Sequence, residues 1–235
     1  MGGQMTNAAG TQAAFNSPQG QAVLQALHTM RFVDHTMSPT QQLAWGALQK
    51  QMAAGKLGMY IAAPDDIYQV IVPQDGGNVN DYGMGPLPST SGTPAGSLSG
   101  GNDYMFAKRD TPAQIEAGIK FLNFENLTPG TGQFNYARMK ADGQPVGFPE
   151  PQLFTGTTES SQQQLMTQYA TVNVSYYAPF SNAHETGMGE PADAQAVYKT
   201  LDPVMLAVLT QPSANISQLL SGAASQVNQL LANAG

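Results

Sequence analysis

The chain has 235 residues, enough for one large domain or two small ones with a real core. Charged residues make up only 11%, the formal net charge is −7, and there is no cysteine. That balance repels a phosphate backbone and argues against nucleic-acid binding, and the lack of cysteine excludes disulfides, thiolate metal sites and a cysteine nucleophile.

Residues 1–16 are polar and rich in Gly and Ala, which predicts a loop or a strand remnant. Met1-Gly2-Gly3-Gln4-Met5 has neither the basic start nor the apolar segment of an export signal. Ser17-Pro18 is a helix start, with Ser as cap and Pro at the first helical position, where its missing N–H costs nothing. Val23, Leu24, Leu27, Met30 and Val33 then form an apolar stripe. Ser38-Pro39 repeats the device for a second helix carrying Leu43, Trp45, Leu48 and Met52 on its apolar face, with Gly55 as its stop. Trp45 is expected in the core.

Residues 57–62, 82–87 and 104–107 read as three short buried strands, separated by loops rich in Gly, Ser and Pro. Thr111-Pro112 opens a helix over 111–123, with Ile115, Ile119 and Leu122 on one face. Residues 128–190 are loop-rich, with a helical piece near 160–169 and an extended segment at 171–177. Two helices close the chain. The first, over 191–209, carries Val197, Leu201, Val204, Met205 and Val208. The second, over 213–232, carries Ile216, Leu219, Leu220, Ala223, Val227, Leu230 and Leu231 at a period of 3.6. No apolar run approaches the ~20 residues that span a bilayer.

The order of elements from Trp45 to Phe124 carries a resemblance. A helix ends at Ala53-Ala54-Gly55-Lys56, and Leu57-Gly58-Met59-Tyr60-Ile61-Ala62-Ala63-Pro64 follows. Then come Asp81-Tyr82-Gly83-Met84-Gly85-Pro86-Leu87-Pro88, the run Gly100-Gly101-Asn102-Asp103-Tyr104, and a helix with Ala117, Phe121 and Phe124. This set resembles the sugar-type bacterial extracellular solute-binding proteins of ABC importers, covering the carboxy-terminal part of that family's length. Gly143-Gln144-Pro145-Val146-Gly147-Phe148-Pro149-Glu150-Pro151 and the two closing helices extend it.

The resemblance implies an α/β, periplasmic-binding-protein-like fold of type II, with a helix-rich second lobe and an incomplete first lobe. Residues 1–105 would belong mostly to the second lobe, 106–127 would cross into the first, and 128–235 would return. It also implies a non-catalytic monomer without cofactor that holds a carbohydrate in an interlobe cleft and delivers it to permease subunits in the membrane. Such a protein is extracellular or periplasmic and anchored as a lipoprotein. A reading frame that continues upstream of Met1 would supply the first lobe and the export signal.

Within that frame, Asp65 stands near the place of a sugar-stacking aromatic. Its carboxylate could accept two hydroxyl hydrogen bonds, or it could simply cap the following helical turn. Asn102, Asp103 and Tyr104 offer donor, acceptor and ring face after a glycine pair, or form an ordinary turn. Asn173 and Tyr176, with Tyr169 and Tyr177, could complete a carbohydrate wall or be partly buried packing. His28 and His35 lack a third metal ligand, and the oxygen-rich 75–81 segment fails the calcium-loop spacing. Two other classes remain open: a surface carbohydrate- or protein-interaction module without a transport role, and a glycan-active enzyme drawing two acids from Glu159, Glu185 and Glu190.

Overall fold

The computed structural model describes residues 2–38, 45–90, 92, 96–100, 103–183 and 185–233. Its elements in chain order are α1 (Pro18–Phe32), α2 (Ala47–Ala53), β1 (Ser97–Leu98), α3 (Pro112–Asn126), α4 (Tyr136–Ala141), α5 (Gly156–Tyr169), α6 (Ala178–Ser181), β2 (Gly187–Met188), α7 (Ala194–Thr210) and α8 (Ile216–Asn233). The chain divides into two compact units. One joins Met1–Trp45, Leu87–Gly100 and Glu185–Gly235, and the other joins Gly46–Pro86 and Gly101–His184.

The first unit is a helical core of α1, α7 and α8. The Ser17 hydroxyl accepts from the Gly20 N–H, as its place before Pro18 requires, and Asn215 caps α8 by accepting from the Gln218 N–H. Val197, Val204 and Val208 of α7 meet Ile216, Leu220, Ala223, Val227 and Leu231 of α8. Leu24 of α1 and Phe15 close the cluster. The amino-terminal segment is held by an antiparallel bridge between Thr6 and Ala13, and the Ala13 N–H donates to Asn228 Oδ1 at 2.7 Å. β1 and β2 pair in parallel, Ser97 with Gly187 and Leu98 with Met188.

The second unit has two smaller cores. Ile67, Ile71, Tyr82, Phe148, Val172 and Tyr177 form one, and Phe134, Tyr136 and Val146 form the other beside α5. α2 ends as expected: Gly55 takes φ 67°, its N–H reaches Met52 O, and the Lys56 N–H reaches Gln51 O. α3 opens on a full capping box between Thr111 and Gln114.

Three expectations are corrected. Residues 57–62, 82–87 and 104–107 are in no sheet; Met59, Ile61, Tyr104 and Met105 are exposed, the last at 88%. A strand needs a neighbour for its N–H and C=O groups, and among the described residues β1 and β2 are the only named strands. Trp45 is 79% exposed rather than in the core. α2 begins two residues later, after Gly46 at φ 89°, so the helical period does not govern Trp45. Leu43, Ser38-Pro39 as a full helix start, and Asn102 fall on or next to residues outside those described. Residues 171–177 form a turn and a short 3₁₀ helix, Val174–Tyr176, instead of an extended segment.

Candidate functional site

The turn after Pro64 is a short π-helix, Ile67–Ile71, which buries Ile67, Val70 and Ile71. Its first bonds run from the Gln69 N–H to Asp65 O and from the Val72 N–H to Ile67 O. Asp65 is half-buried, and its carboxylate makes no hydrogen bond to a described residue, so it does not act as a side-chain cap. The fastening is done by Asp66. Its Oδ2 accepts from Gln49 Nε2 at 3.0 Å and from the Tyr60 hydroxyl at 2.9 Å. Gln49 is buried, and burial together with the Asp66 carboxylate pushes the Tyr60 hydroxyl well above its usual range.

Tyr68, one turn beyond Asp65, leaves 38% of its surface open. Its ring lies on Phe148, centroids 5.1 Å apart, and Phe148 in turn meets Tyr177 edge to face at 5.0 Å. The three rings run from a half-open platform to a residue that is 2% exposed. Burial raises the Tyr68 hydroxyl, and the negative charges of Asp65 and Glu150 add to that against a hydrogen bond with Gln69. Burial pushes the Tyr177 hydroxyl up to about 12, and that hydroxyl has no partner among the described residues. Glu150, two residues past Phe148, accepts from the Tyr136 hydroxyl at 2.8 Å. Desolvation of its carboxylate holds it above the usual range despite that bond, and the charge of Glu159 adds to the shift.

Asn173 and Tyr176 sit on the 3₁₀ turn beside this row. Asn173 Oδ1 accepts from the Ser175 N–H at 3.1 Å and hydroxyl at 2.7 Å, leaving its amide N–H groups free to donate. Tyr176 is half exposed, and its carbonyl accepts from the Met84 N–H at 3.0 Å. Asp65, Asn173 and Tyr176 are thus tied through their neighbours to one apolar cluster, that of Ile67, Phe148 and Tyr177. Asp103 and Tyr104 are exposed and are not among the residues of that cluster, and Asn102 lies outside the described residues. Tyr169 packs in the other core, beside Tyr136. Sequence reasoning missed Tyr68 as a ring platform. The available signals were its place one turn from Asp65 and the Phe148 of the Gly143–Pro151 motif.

The three acids considered for hydrolysis have local tasks. Glu159 accepts from Gln163, Glu185 accepts from the Leu87 N–H at 2.9 Å, and Glu190 accepts from the Tyr198 hydroxyl at 3.2 Å. His28 lies against Phe32 and within 3.3 Å of Gln211 O. In the 75–81 segment, Asn78 caps the Asn80 N–H and donates to Asp81.

The half-open Tyr68 ring on Phe148 and the half-buried Asp65 carboxylate are the groups of this turn left open to solvent. The model of the family described as bacterial extracellular solute-binding protein matches residues 1–124, and the chain belongs to that family. Its members are extracellular binding components of ABC transport, and the family implies a periplasmic-binding-protein-like fold, with which this helix-rich structure is compatible. The match includes the Asp65–Tyr68 turn and ends within α3. No curated protein sequence matches the chain. Among the described residues, no helix is long and apolar enough to cross a membrane.

Proposed function

We propose that this chain captures a carbohydrate for an ABC importer, without chemical change, on the surface formed by Tyr68, Asp65, Asn173 and Tyr176. The observation that carries the reading is the half-open Tyr68 ring stacked on Phe148 beside an unengaged Asp65 carboxylate. A sugar presents C–H groups on its face and hydroxyls at its edge, which suits a ring flanked by acceptors and donors. Asn102, Asp103 and Tyr104 are proposed to join from the ligand's other side. Membrane permease subunits are the proposed partner, and a lipid-anchored parent outside the cytoplasm is the proposed setting.

The same reading assigns 1–105 and 128–235 mainly to the second lobe and 106–127, which contains α3, to the first. Support comes from α3 itself, which buries no residue although Ile115, Ile119 and Leu122 lie on one face and Ala117, Phe121 and Phe124 on the opposite one. A helix apolar on two sides is built to be covered on both. The exposed apolar residues of 57–62 and 104–107 ask for strand partners in the same way. A first lobe outside these 235 residues would supply them.

Calorimetry with neutral mono- and oligosaccharides, run beside an assay for cleavage of aryl glycosides, tests this reading. The expected result is binding no tighter than ~1 mM, a free energy near −4 kcal/mol, with no turnover. Micromolar binding by the chain alone would remove the need for a missing lobe, and turnover would establish an enzyme.

A further inference from the structure

We infer that the Tyr68 platform selects by charge, taking an amine-bearing sugar ring over a neutral one and a neutral ring over an acidic one. This inference rests on the capture reading above. Asp65 is half-buried and stands three residues before Tyr68, just ahead of the π-helical turn that carries it. Glu150 follows two residues after Phe148, the ring on which Tyr68 lies. The charges that bear on the Tyr68 hydroxyl are those of these two carboxylates, both negative.

Neither carboxylate has an ion-pair partner among the described residues. The ion pairs among the described residues are Lys120–Glu116 and Arg138–Asp142, both on helix surfaces. The Asp65 carboxylate has no hydrogen bond to a described residue, and the Glu150 carboxylate has one, from Tyr136. An aromatic face is negative at its centre and attracts a cation, and a carboxylate only accepts. An ammonium group brings a positive charge and three donors, and so meets both demands together. A carboxylate or phosphate on the ligand would meet the ring face and two like charges.

The Tyr177 hydroxyl is buried with no partner among the described residues, although buried polar groups are nearly always bonded.

The test follows the Tyr68 ring signals of the 235-residue chain by NMR at neutral pH. Glucosamine, glucose, glucuronate and choline are titrated separately to millimolar concentrations. Glucosamine is expected to bind about fivefold tighter than glucose, one unit charge at contact distance in water, and glucuronate to bind more weakly by a similar factor. Asp65→Asn and Glu150→Gln, the second of which keeps an acceptor for Tyr136, should each narrow both gaps. Glucuronate binding as tightly as glucosamine, or gaps unchanged in both variants, overturns the charge selection while leaving sugar capture standing. Choline binding on Tyr68 without any sugar binding supports the charge selection and removes the carbohydrate reading. Silence with all four probes overturns both.

Discussion

A Cβ on Gly83 would stand 2.7 Å from the carbonyl oxygen of Tyr176, the oxygen that accepts the Met84 N–H. Gly83 and Met84 therefore lie against the Val174–Tyr176 turn only because residue 83 has no side chain. Gly83→Ala should force the two backbones apart and cost about 1–3 kcal/mol, read as a lower urea midpoint. Tyr176 would be displaced with it, so sugar binding should weaken in the same variant. An unchanged midpoint would mean that the contact is not held in solution.

Tyr177 offers a change that should not destabilise. Tyr177→Phe keeps the edge contact with Phe148 and removes a buried hydroxyl that has no partner among the described residues. Thermal melting should be unchanged or raised, because an unsatisfied buried group costs about 1–3 kcal/mol. Tyr177→Ala should instead lose about 3–5 kcal/mol, as other large-to-small core changes do.

Alkaline pH should act through the same residue. Its hydroxyl moves from 10.0 to about 12 on folding, so the folded chain holds the proton more tightly than the unfolded one. That contribution is fully present below pH 10.0 and is lost as pH rises through about 12. Tyr60 and Tyr136 are raised as well and act in the same direction. Denaturant midpoints should fall steadily above pH 10.0, less steeply in Tyr177→Phe.

Asp66 joins three pieces of chain, so its partners should be separable. Tyr60→Phe removes one charge-assisted bond and should cost about 1.5–3 kcal/mol. Asp66→Ala should cost more, since it also leaves the buried Gln49 amide without its acceptor. Equal losses in the two variants would show that the Gln49 bond contributes nothing.

α3 should tolerate polar substitution that a core helix would not. Phe121→Ser and Phe124→Ser are expected within about 0.5 kcal/mol of the parent chain and should raise solubility. Val227→Ala, at a fully buried position of α8, should cost about 1–3 kcal/mol. A comparable loss at Phe121 would place that face inside the folded chain.

The helices were legible because their signals are local. Ser17 and Thr111 cap the helices they announce, and the apolar period of α7 and α8 marks the residues that pack. The segments read as strands were not, because pairing depends on distant chain that a local pattern does not contain. Trp45 was misread because the turn at Gly46 resets the helix start. Asp65 was expected to choose between cap and ligand, and the fastening role fell to its neighbour Asp66. Tyr68 was hidden because a π-helical turn shifts which residues face inward, and because Phe148, its support, lies eighty residues away in sequence.

The Tyr68 ring is the proposed surface on which a sugar is held. Titrating glucose, glucosamine and maltose into parent and Tyr68→Ala chains, with binding followed by NMR, tests it most directly. Saturable shifts centred on Tyr68 and Tyr176 are expected in the parent chain. In Tyr68→Ala, affinity should fall tenfold to a hundredfold at unchanged fold, the value of a ring contact of about 1.5–3 kcal/mol. Sugar binding of equal affinity in Tyr68→Ala would show that the sugar is not held on this ring.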